Sequence, residues 1–481
     1  MVPTPNPIRL LVLSIGLALA RVGLADPAHV RRVVDLAWPR IVTGLARMSK
    51  SAVDVAMVGI AVGPAAIAGV GLAGPYWGAA FTIGSGIAAG TIALVSQRYG
   101  AEAFDQLGQA VRSSVLLTVL ILVPIATLFW ITPTPLIDLL TDDPRSIDLG
   151  ARYLRIVALG VPFAGLNLIG GRVLIGADDA WIPMLLRGGG AAVNIVLNAV
   201  LIFGLDMGVA GAALGTVLAN VLVTAAFASG LVFGWLPGIG RFPVTVTVRG
   251  SYVHRGTVRD LVRISTPVIG RKIAWTGARF PMLAFVALYG QQVVAAYIIS
   301  RRIWGLMNTP GWGFGLAASS LVGQSLGEDD EGAAEQYGNE IARISVVTYV
   351  VAAAIVFAFA EPIVGLFVDD PTGETAAIAV LLVYAACVSV SAQGISGTYA
   401  GALDATGDTR WPFYSRTLGM FGFALPLTYL GGTTTLGLVG LYLSYFSQAA
   451  VPAAINYYRF STGKWKAISR QYRPGSTVGD N

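Results

Sequence analysis

The feature that most restricts the fold of this chain is an internal repeat. The segment Leu94 to Gly100, LVSQRYG, recurs 227 residues later as Leu321 to Gly327, LVGQSLG. The run Asp142 to Pro144, DDP, recurs at the same spacing of 227 residues as Asp369 to Pro371. Two independent matches at one spacing predict that the chain consists of two copies of one structural unit.

Both copies consist mainly of long apolar segments. Of the 481 residues, 55% are hydrophobic and 12% are charged, and the mean hydropathy is +0.70. Because soluble globular proteins carry about 25% charged residues, the chain is predicted to be an integral membrane protein. A helix crosses a bilayer in about 20 residues, and the continuous Ala, Leu and Val runs favour helices over the alternating strands of a barrel.

The apolar segments predict six transmembrane helices in each copy, which gives an all-α fold of twelve. In the first copy the predicted spans are 35–59, 66–96, 110–132, 150–173, 184–205 and 208–233. In the second copy they are 260–290, 292–322, 339–361, 375–401, 411–431 and 434–457. Each copy is therefore predicted to form a six-helix lobe.

The predicted domain order has five parts. An apolar and basic segment (1–33), interpreted as an interfacial or an extra helix, precedes the N-lobe (34–233), a cytoplasmic linker (234–259), the C-lobe (260–458) and a cytoplasmic tail (459–481). Lys and Arg collect in the loops of one side, and since cytoplasmic loops carry these residues, both termini are predicted to be cytoplasmic. An even number of spans gives both lobes the same orientation, which is typical of transporters in the cell membrane.

Few residues can support metal or redox chemistry. Cys387 is the only cysteine, and the two histidines, His29 and His254, lie outside the predicted spans. The sequence therefore predicts no metal cluster and no cofactor. An intramembrane enzyme needs convergent carboxylates or a metal pair, so we expect no enzyme. The net charge of +6 is explained by basic cytoplasmic loops, so we expect a lipid bilayer and no nucleic acid as partner.

Asp54 is the only carboxylate between Trp38 and Gly59, the apolar part of the first predicted span. An ionisable side chain at the centre of a membrane helix costs about 2.5 to 3.5 kcal/mol, so such residues pair, protonate or bind a cation. Lys50 and Arg47 precede Asp54 by four and seven residues and fall on the same helix face. The pattern predicts either a structural ion pair with Lys50 or a working ion site.

Six motifs, in this order along the chain, carry a family resemblance. They are Val53 to Gly59, Leu94 to Gly100, Gly176 to Asp179, Asn194 to Asn198, Gly208 to Thr216 and Gly401 to Arg410. Together they resemble the multidrug and toxic compound extrusion (MATE) family of the MOP superfamily over nearly all of residues 35–466. The resemblance implies two six-helix lobes that alternate between outward and inward openings. It also implies an antiporter that exports an organic compound in exchange for H⁺ or Na⁺.

The resemblance also implies particular site residues. Asp54 occupies the cation-coupling position of the family, and Asn194 and Asn198 lie beside it, one helical turn apart. Some relatives carry a second acid where this chain has Asn198, so Na⁺ binding at Asp54 is weakened without being excluded, and both ions stay open. The residues predicted to line the substrate cavity are Arg47, Lys50, Asn167, Arg279 and Gln393.

Two substrate classes remain open at this stage. The resemblance implies a drug-like or metabolite compound, often a cation. Arg47 and Lys50 depart from the family pattern, since the matching positions are usually uncharged, and they would repel a cation. The alternative is a flippase or exporter of lipid-linked precursors or anionic compounds. The family expectation for the oligomeric state is a monomer.

Overall fold

The computed structural model describes residues 6–368 and 370–474, so Asp369 of the second DDP motif and both chain ends lie outside the described residues. Helices dominate the described chain. In order they are α1 (Pro7–Arg21), α2 (Pro27–Val62), α3 (Pro64–Gly100), α4 (Phe104–Ile131), α5 (Pro133–Asp138), α6 (Pro144–Ala158), α7 (Val161–Gly176), α8 (Trp181–Ala199), α9 (Gly208–Phe233), α10 (Arg255–Gly277), α11 (Arg279–Val286), α12 (Gln291–Met307), α13 (Thr309–Gly327), α14 (Glu331–Ala358), α15 (Ala360–Gly365), α16 (Glu374–Ala405), α17 (Arg410–Thr417), α18 (Leu425–Thr433), α19 (Leu438–Ser461) and α20 (Trp465–Ser469). π-Helical turns at Val200–Gly204 and Leu418–Ala424 extend α8 and α17.

Each predicted span falls mainly on one helix or on one broken pair of helices. By length and composition, seven helices of the described chain can cross a membrane, namely α3, α4, α8 with its π turn, α9, α14, α16 and α19. The pair α6 and α7, bent by 48°, makes an eighth if it forms one span. The remaining predicted spans fall on α2, which carries several basic residues, and on the interrupted pairs α10 with α11, α12 with α13, and α17 with α18.

The N-terminal segment contains a separate helix. Asn6 caps α1, because its side-chain oxygen accepts a hydrogen bond of 2.9 Å from the Ile8 amide. Helix α2 begins at Pro27, eight residues before the predicted start at 35. The extra turns carry Arg32, whose guanidinium donates to Gln324 at 2.7 Å and to Tyr337 at 3.2 Å. The assignment of α1 as an interfacial or an extra membrane helix stays a prediction.

The chain divides into two compact units, each described by itself. Unit 1 comprises Met1–Ile41 with Gly270–Asn481, and unit 2 comprises Val42–Ile269. The divisions fall inside α2 and α10, two residues after Pro39 and Pro267, which are 228 residues apart in the repeat. Proline within a helix removes a backbone hydrogen bond, so both helices are weakened near the division. The lobe bounds predicted from sequence stay a prediction.

Two repeat-related glycines pack against these divided helices. In unit 1, a Cβ atom on Gly313 would lie 2.5 Å from the Ala37 carbonyl oxygen and 3.1 Å from Ile41. In unit 2, a Cβ atom on Gly86 would collide with the Ile269 side chain. Gly86 and Gly313 are 227 residues apart, as are the matched motifs, so the repeat preserves a close helix approach that depends on a small residue.

The predicted linker packs as part of unit 2. Strand β1 (Trp235–Leu236) pairs antiparallel with β2 (Gly240–Arg241), which adds a short hairpin to an otherwise helical chain. The residues that follow alternate between buried and exposed positions, and three of them, Phe242, Val244 and Val246, join the core of unit 2. The linker is therefore anchored by apolar contacts.

Candidate functional site

Asp54 lies on α2 and forms an ion pair with Lys50 one helical turn earlier. Lys50 Nζ lies 2.5 Å from Asp54 Oδ2, and the two side chains are 22% and 21% exposed. The geometry agrees with the i, i+4 spacing read from the sequence. The carboxylate is thus paired and also partly exposed.

A second helix supplies the other partner of the carboxylate. Asn198 on α8 donates from Nδ2 to Asp54 Oδ1 at 2.9 Å and to Asn194 Oδ1 at 3.3 Å. Both asparagines are buried, with exposures of 0% and 1%. The structure therefore brings together the three residues predicted for ion coupling, Asp54, Asn194 and Asn198, while their role stays a prediction.

The polar network continues into α9. Asn194 Nδ2 donates to Thr216 Oγ1 at 3.3 Å, and Thr216 Oγ1 donates to the Ala212 carbonyl at 3.0 Å. Tyr153 on α6 interacts electrostatically with Asp54 and with the Thr216 side chain. Sequence reasoning missed Thr216 and Tyr153 as site residues. The only available signal was that Thr216 ends a motif already recognised at the start of the sixth span.

Gly215 on α9 leaves room for the Asn198 side chain. A Cβ atom at Gly215 would collide with Asn198 Oδ1 and would lie 3.2 Å from both the Asn198 backbone nitrogen and Cγ. The α9 backbone can therefore approach α8 only because residue 215 has no side chain. Gly215 positions the amide that holds Asp54.

We expect Gly215→Ala to displace the Asn198 amide from Asp54 and to reduce transport by about tenfold, since a hydrogen bond to a charged group contributes about 1.5 to 3 kcal/mol. Initial rates of gradient-driven efflux from proteoliposomes measure the effect. Gly189→Ala is the matched control, because a Cβ atom at Gly189 on α8 meets no atom within 4 Å. Equal rates for the two variants would show that the close approach has no bearing on transport.

Asn167, predicted to line the substrate cavity, is buried between helices. Its Nδ2 donates to Asn220 Oδ1 at 3.0 Å, and its Oδ1 accepts from Thr224 at 2.8 Å. Its backbone carbonyl accepts from the Arg187 guanidinium at 3.2 Å. The Asn167 side chain therefore bonds to α9, and the structure does not bring it into direct contact with Asp54.

Arginines on α2, α7 and α8 add positive charge to unit 2. The Arg47 guanidinium lies over the Phe81 ring, 5.5 Å from its centroid. Arg47 is also close enough to Arg187 for the two charges to repel, and Arg187 repels Arg172 in the same way. Arg172 and Arg187 were not predicted as site residues. They lie on α7 and α8, where sequence reasoning considered only the asparagines.

The two remaining predicted cavity residues, Arg279 and Gln393, lie in unit 1. Arg279 repels Arg301 on α12, and Gln393 Oε1 is buried without a hydrogen-bond partner. Eleven residues after Gln393, α16 carries Asp404, an acid that sequence reasoning missed. Arg271 on α10 binds Asp404 through two hydrogen bonds of 3.1 and 2.6 Å. This acid is fully engaged in a structural ion pair.

Within residues 6–368 and 370–474, no group of three or more His, Cys, Asp or Glu side chains comes close enough together to hold a metal ion. The oxygen atoms around Asp54 are of a different kind. Asn198 Oδ1 is buried beside the carboxylate and has no hydrogen-bond donor. Carboxylate and amide oxygens are the ligands that hard cations prefer, so the site suits a small cation better than a transition metal.

A repeated, mainly helical membrane chain with a paired carboxylate inside one lobe defines a multi-pass membrane transporter. The MatE family profile matches residues 39–200 and 267–430, once in each half. The chain belongs to the MATE family of multidrug efflux transporters. Both halves match, which confirms the family predicted from the motifs.

Known relatives and solved structures support this assignment. Multidrug resistance protein PmpM of Pseudomonas aeruginosa is 28% identical over 430 residues, covering 88% of this chain and 87% of the relative. Probable multidrug resistance protein YoeA of Bacillus subtilis is 24% identical over 446 residues, covering 90% and 94%. The outward-facing structure of a multidrug resistance MATE family transporter of the MOP superfamily superimposes with a TM-score of 0.81 at 22% identity, covering 91% and 96%. The predicted fold of two six-helix lobes is confirmed.

Proposed function

We propose that this protein is a secondary antiporter that exports organic compounds in exchange for H⁺ or Na⁺ bound at Asp54. The observation that carries the proposal is the position of the Asp54 carboxylate. It is held by Lys50 on one side and by Asn198 on the other, and it is still 21% exposed. A carboxylate inside a membrane helix that is both paired and accessible can exchange its partner for an external cation.

Competition for one carboxylate supplies the coupling step. A proton or Na⁺ that binds Asp54 neutralises the charge that holds Lys50 at 2.5 Å. Lys50 then loses its ion pair with Asp54 on the same helix, and the net charge of the site rises by one. Such a change favours one of two conformations only if they differ in affinity for the ion, which is the requirement for alternating access.

The site provides ligands for either ion. A proton needs only Asp54. A Na⁺ ion needs several oxygen atoms, and Asn198 Oδ1, buried without a donor, lies next to the carboxylate. Asn194 Oδ1 is the next oxygen along the helix and already accepts one hydrogen bond. The oxygen set therefore supports Na⁺ as well as H⁺ as the coupling ion.

Export from proteoliposomes under separately imposed gradients tests the proposal. Vesicles are loaded with cationic or anionic fluorescent compounds, and an H⁺ or a Na⁺ gradient is applied with the membrane potential clamped. We expect efflux driven by one of the two gradients and abolished when that gradient is collapsed by an ionophore. Efflux that is the same with and without both gradients, or no efflux of any compound, would contradict antiport.

A second candidate, export or flipping of an anionic compound, is favoured by the charge of unit 2. Arg47 repels Arg187, Arg187 repels Arg172, and Lys50 pairs with Asp54, so four basic residues of α2, α7 and α8 are linked by close electrostatic contacts. A cationic compound beside these groups would be repelled in a low dielectric, whereas an anion would be attracted. The same vesicle assay separates the two candidates, because it compares compounds of opposite charge.

We further propose that the transporter lies in the cell membrane as a monomer, with both termini on the cytoplasmic side. The support is the collection of Lys and Arg in loops of one side and in the tail. Single cysteines introduced in the tail and at Asp206, in the loop between α8 and α9, test the orientation by labelling with a membrane-impermeant thiol reagent. Both variants are made in a Cys387→Ala background. We expect labelling of the 206 position in intact cells and of the tail only after permeabilisation.

A further inference from the structure

Two arginines of unit 1 lie over a pair of tryptophans, and a third arginine is close to one of them. The guanidinium of Arg301 lies 4.4 Å from the ring centroid of Trp304 and 5.7 Å from that of Trp275. The guanidinium of Arg416 lies 4.9 Å from the Trp275 centroid, and the two indole rings are 5.7 Å apart. Arg279 is close enough to Arg301 for their charges to repel. We call these five residues the arginine cage.

The hydrogen bonds made by Arg301 and Arg416 leave the charges of the arginine cage unneutralised. Arg301 donates to the Gln448 side chain at 3.2 Å, and Arg416 donates to the Gln448 carbonyl at 3.0 Å and to Ser396 at 3.2 Å. All these acceptors are neutral. Within the described part of unit 1, no carboxylate lies within 4 Å of a cage arginine.

The buried acid Asp404 does not change this balance. Asp404 is engaged by Arg271 through both carboxylate oxygens, at 3.1 and 2.6 Å. Arg416 also experiences the positive charge of Arg271. The cage therefore carries a net charge of about three, since each guanidinium stays protonated and none has an acidic partner.

Charges in a membrane helix bundle are costly unless they are paired or have a function. Stacking on indole faces offsets part of the cost, because the ring quadrupole attracts a cation. It leaves the net charge unchanged, and it leaves the planar guanidinium edges available for hydrogen bonds. The Trp304 Nε1 donor is also buried without an acceptor. The cage therefore has several hydrogen-bond donors and no anionic acceptor, as expected of a binding site for an anionic ligand.

We propose that the arginine cage binds an organic oxyanion with a flat apolar part, such as an aromatic carboxylate, sulfonate or phosphate. The guanidinium fork matches two oxygens of such a group, and the tryptophans offer apolar surface for the rest of the compound. As the substrate site of an exporter, the cage rests on the proposed function. As a binding site it stands independently, since it involves none of the Asp54 network.

Equilibrium titration of the full-length protein in detergent tests the cage. The probes are 2-naphthoate, its neutral isostere 2-naphthamide, and the cation 2-naphthylmethylammonium, followed by calorimetry and by quenching of tryptophan fluorescence. We expect naphthoate to bind and the other two to bind at least about tenfold more weakly, because only the carboxylate makes charge-assisted hydrogen bonds. Equal affinities for the three probes would overturn the proposal.

Variants assign the binding to the cage. Arg301→Gln and Arg416→Gln, on different helices, should each weaken naphthoate binding by about 10- to 100-fold, as expected for the loss of one charge-assisted hydrogen bond. Arg302→Gln is the matched control, since Arg302 is the exposed neighbour of Arg301. Arg301→Lys keeps the charge but loses the fork, so it should bind with intermediate affinity. If one Gln variant fails to fold, the other Gln variant and Arg301→Lys test the assignment. Naphthoate affinities equal to that of the parent in all folded cage variants would contradict it.

Two further arms identify the source of the anion and separate this inference from the proposed function. Naphthoate binding is measured in nanodiscs of phosphatidylglycerol and in nanodiscs of phosphatidylcholine. Weaker binding in phosphatidylglycerol assigns the cage to a lipid headgroup and overturns its assignment to a soluble compound. Equal binding in both lipids supports the soluble compound. Asp54→Asn should bind naphthoate as the parent does, because binding needs no gradient. If the protein binds naphthoate but shows no gradient-driven export, the proposed antiport fails and the cage stands. If it shows gradient-driven export but no preference for the anion, the proposed cage fails and the antiport stands.

Discussion

Asp54→Asn is expected to reduce gradient-driven export to the rate of protein-free vesicles. The amide keeps the size of the side chain and the hydrogen bond from Asn198, but it removes the negative charge that H⁺ or Na⁺ and Lys50 share. Without that charge, neither ion has a differential affinity for the two conformations, so the gradient cannot drive the cycle. Initial efflux rates in proteoliposomes, normalised to the amount of reconstituted protein, measure the effect.

Lys50 provides the matched control for this result. Lys50→Met leaves the carboxylate in place and removes its internal competitor at 2.5 Å. We expect export to be retained, with the coupling ion half-saturating at about tenfold lower concentration, because a charge-assisted hydrogen bond contributes about 1.5 to 3 kcal/mol. Export by Asp54→Asn at the parental rate would reduce Asp54 to a structural partner of Lys50. The coupling site would then have to lie elsewhere.

Arg271→Ala is expected to destabilise unit 1 strongly. It leaves the Asp404 carboxylate, only 9% exposed, without its bidentate partner. Removing one member of a buried ion pair costs about 3 to 5 kcal/mol, since the remaining charge is desolvated and uncompensated. The unfolding temperature of the detergent-solubilised protein should fall by roughly 5 °C or more.

The double variant Arg271→Ala with Asp404→Asn tests the cause of the loss. It removes both charges, so it should recover most of the unfolding temperature, as neutral replacements of buried ion pairs generally do. The exposed Arg302→Ala serves as a control for the loss of any arginine from the same unit. An unchanged unfolding temperature in Arg271→Ala would mean that the Asp404 carboxylate finds another partner or solvent.

The fold could be predicted from the sequence because the patterns that indicate it extend over many residues. Apolar segments of about 20 residues and a repeated spacing of 227 residues survive local variation, so every predicted span falls on a helix or a broken pair. The early start of α2 at Pro27 was missed because its first turns are held by tertiary hydrogen bonds from Arg32. Such contacts leave no periodic apolar pattern.

The candidate sites were predictable to different degrees. Asp54 stands out because an acid is rare in an apolar helix, and the family motif indicates Asn194 and Asn198; the structure joins all three directly. Thr216 does not stand out, since threonine is common in such helices. The pairing of Arg271 with Asp404 spans 133 residues, and no local pattern indicates which acid a distant arginine meets.

Each half of the chain completes the other half's unit. Residues up to Ile41 are built into unit 1 with the second copy, and residues up to Ile269 are built into unit 2 with the first copy. Two polypeptides made by cutting the linker near residue 250 would therefore each carry an opening segment whose packing surface was left on the other piece. The covalent connection between the two copies therefore keeps each opening segment on the same molecule as the unit into which it packs.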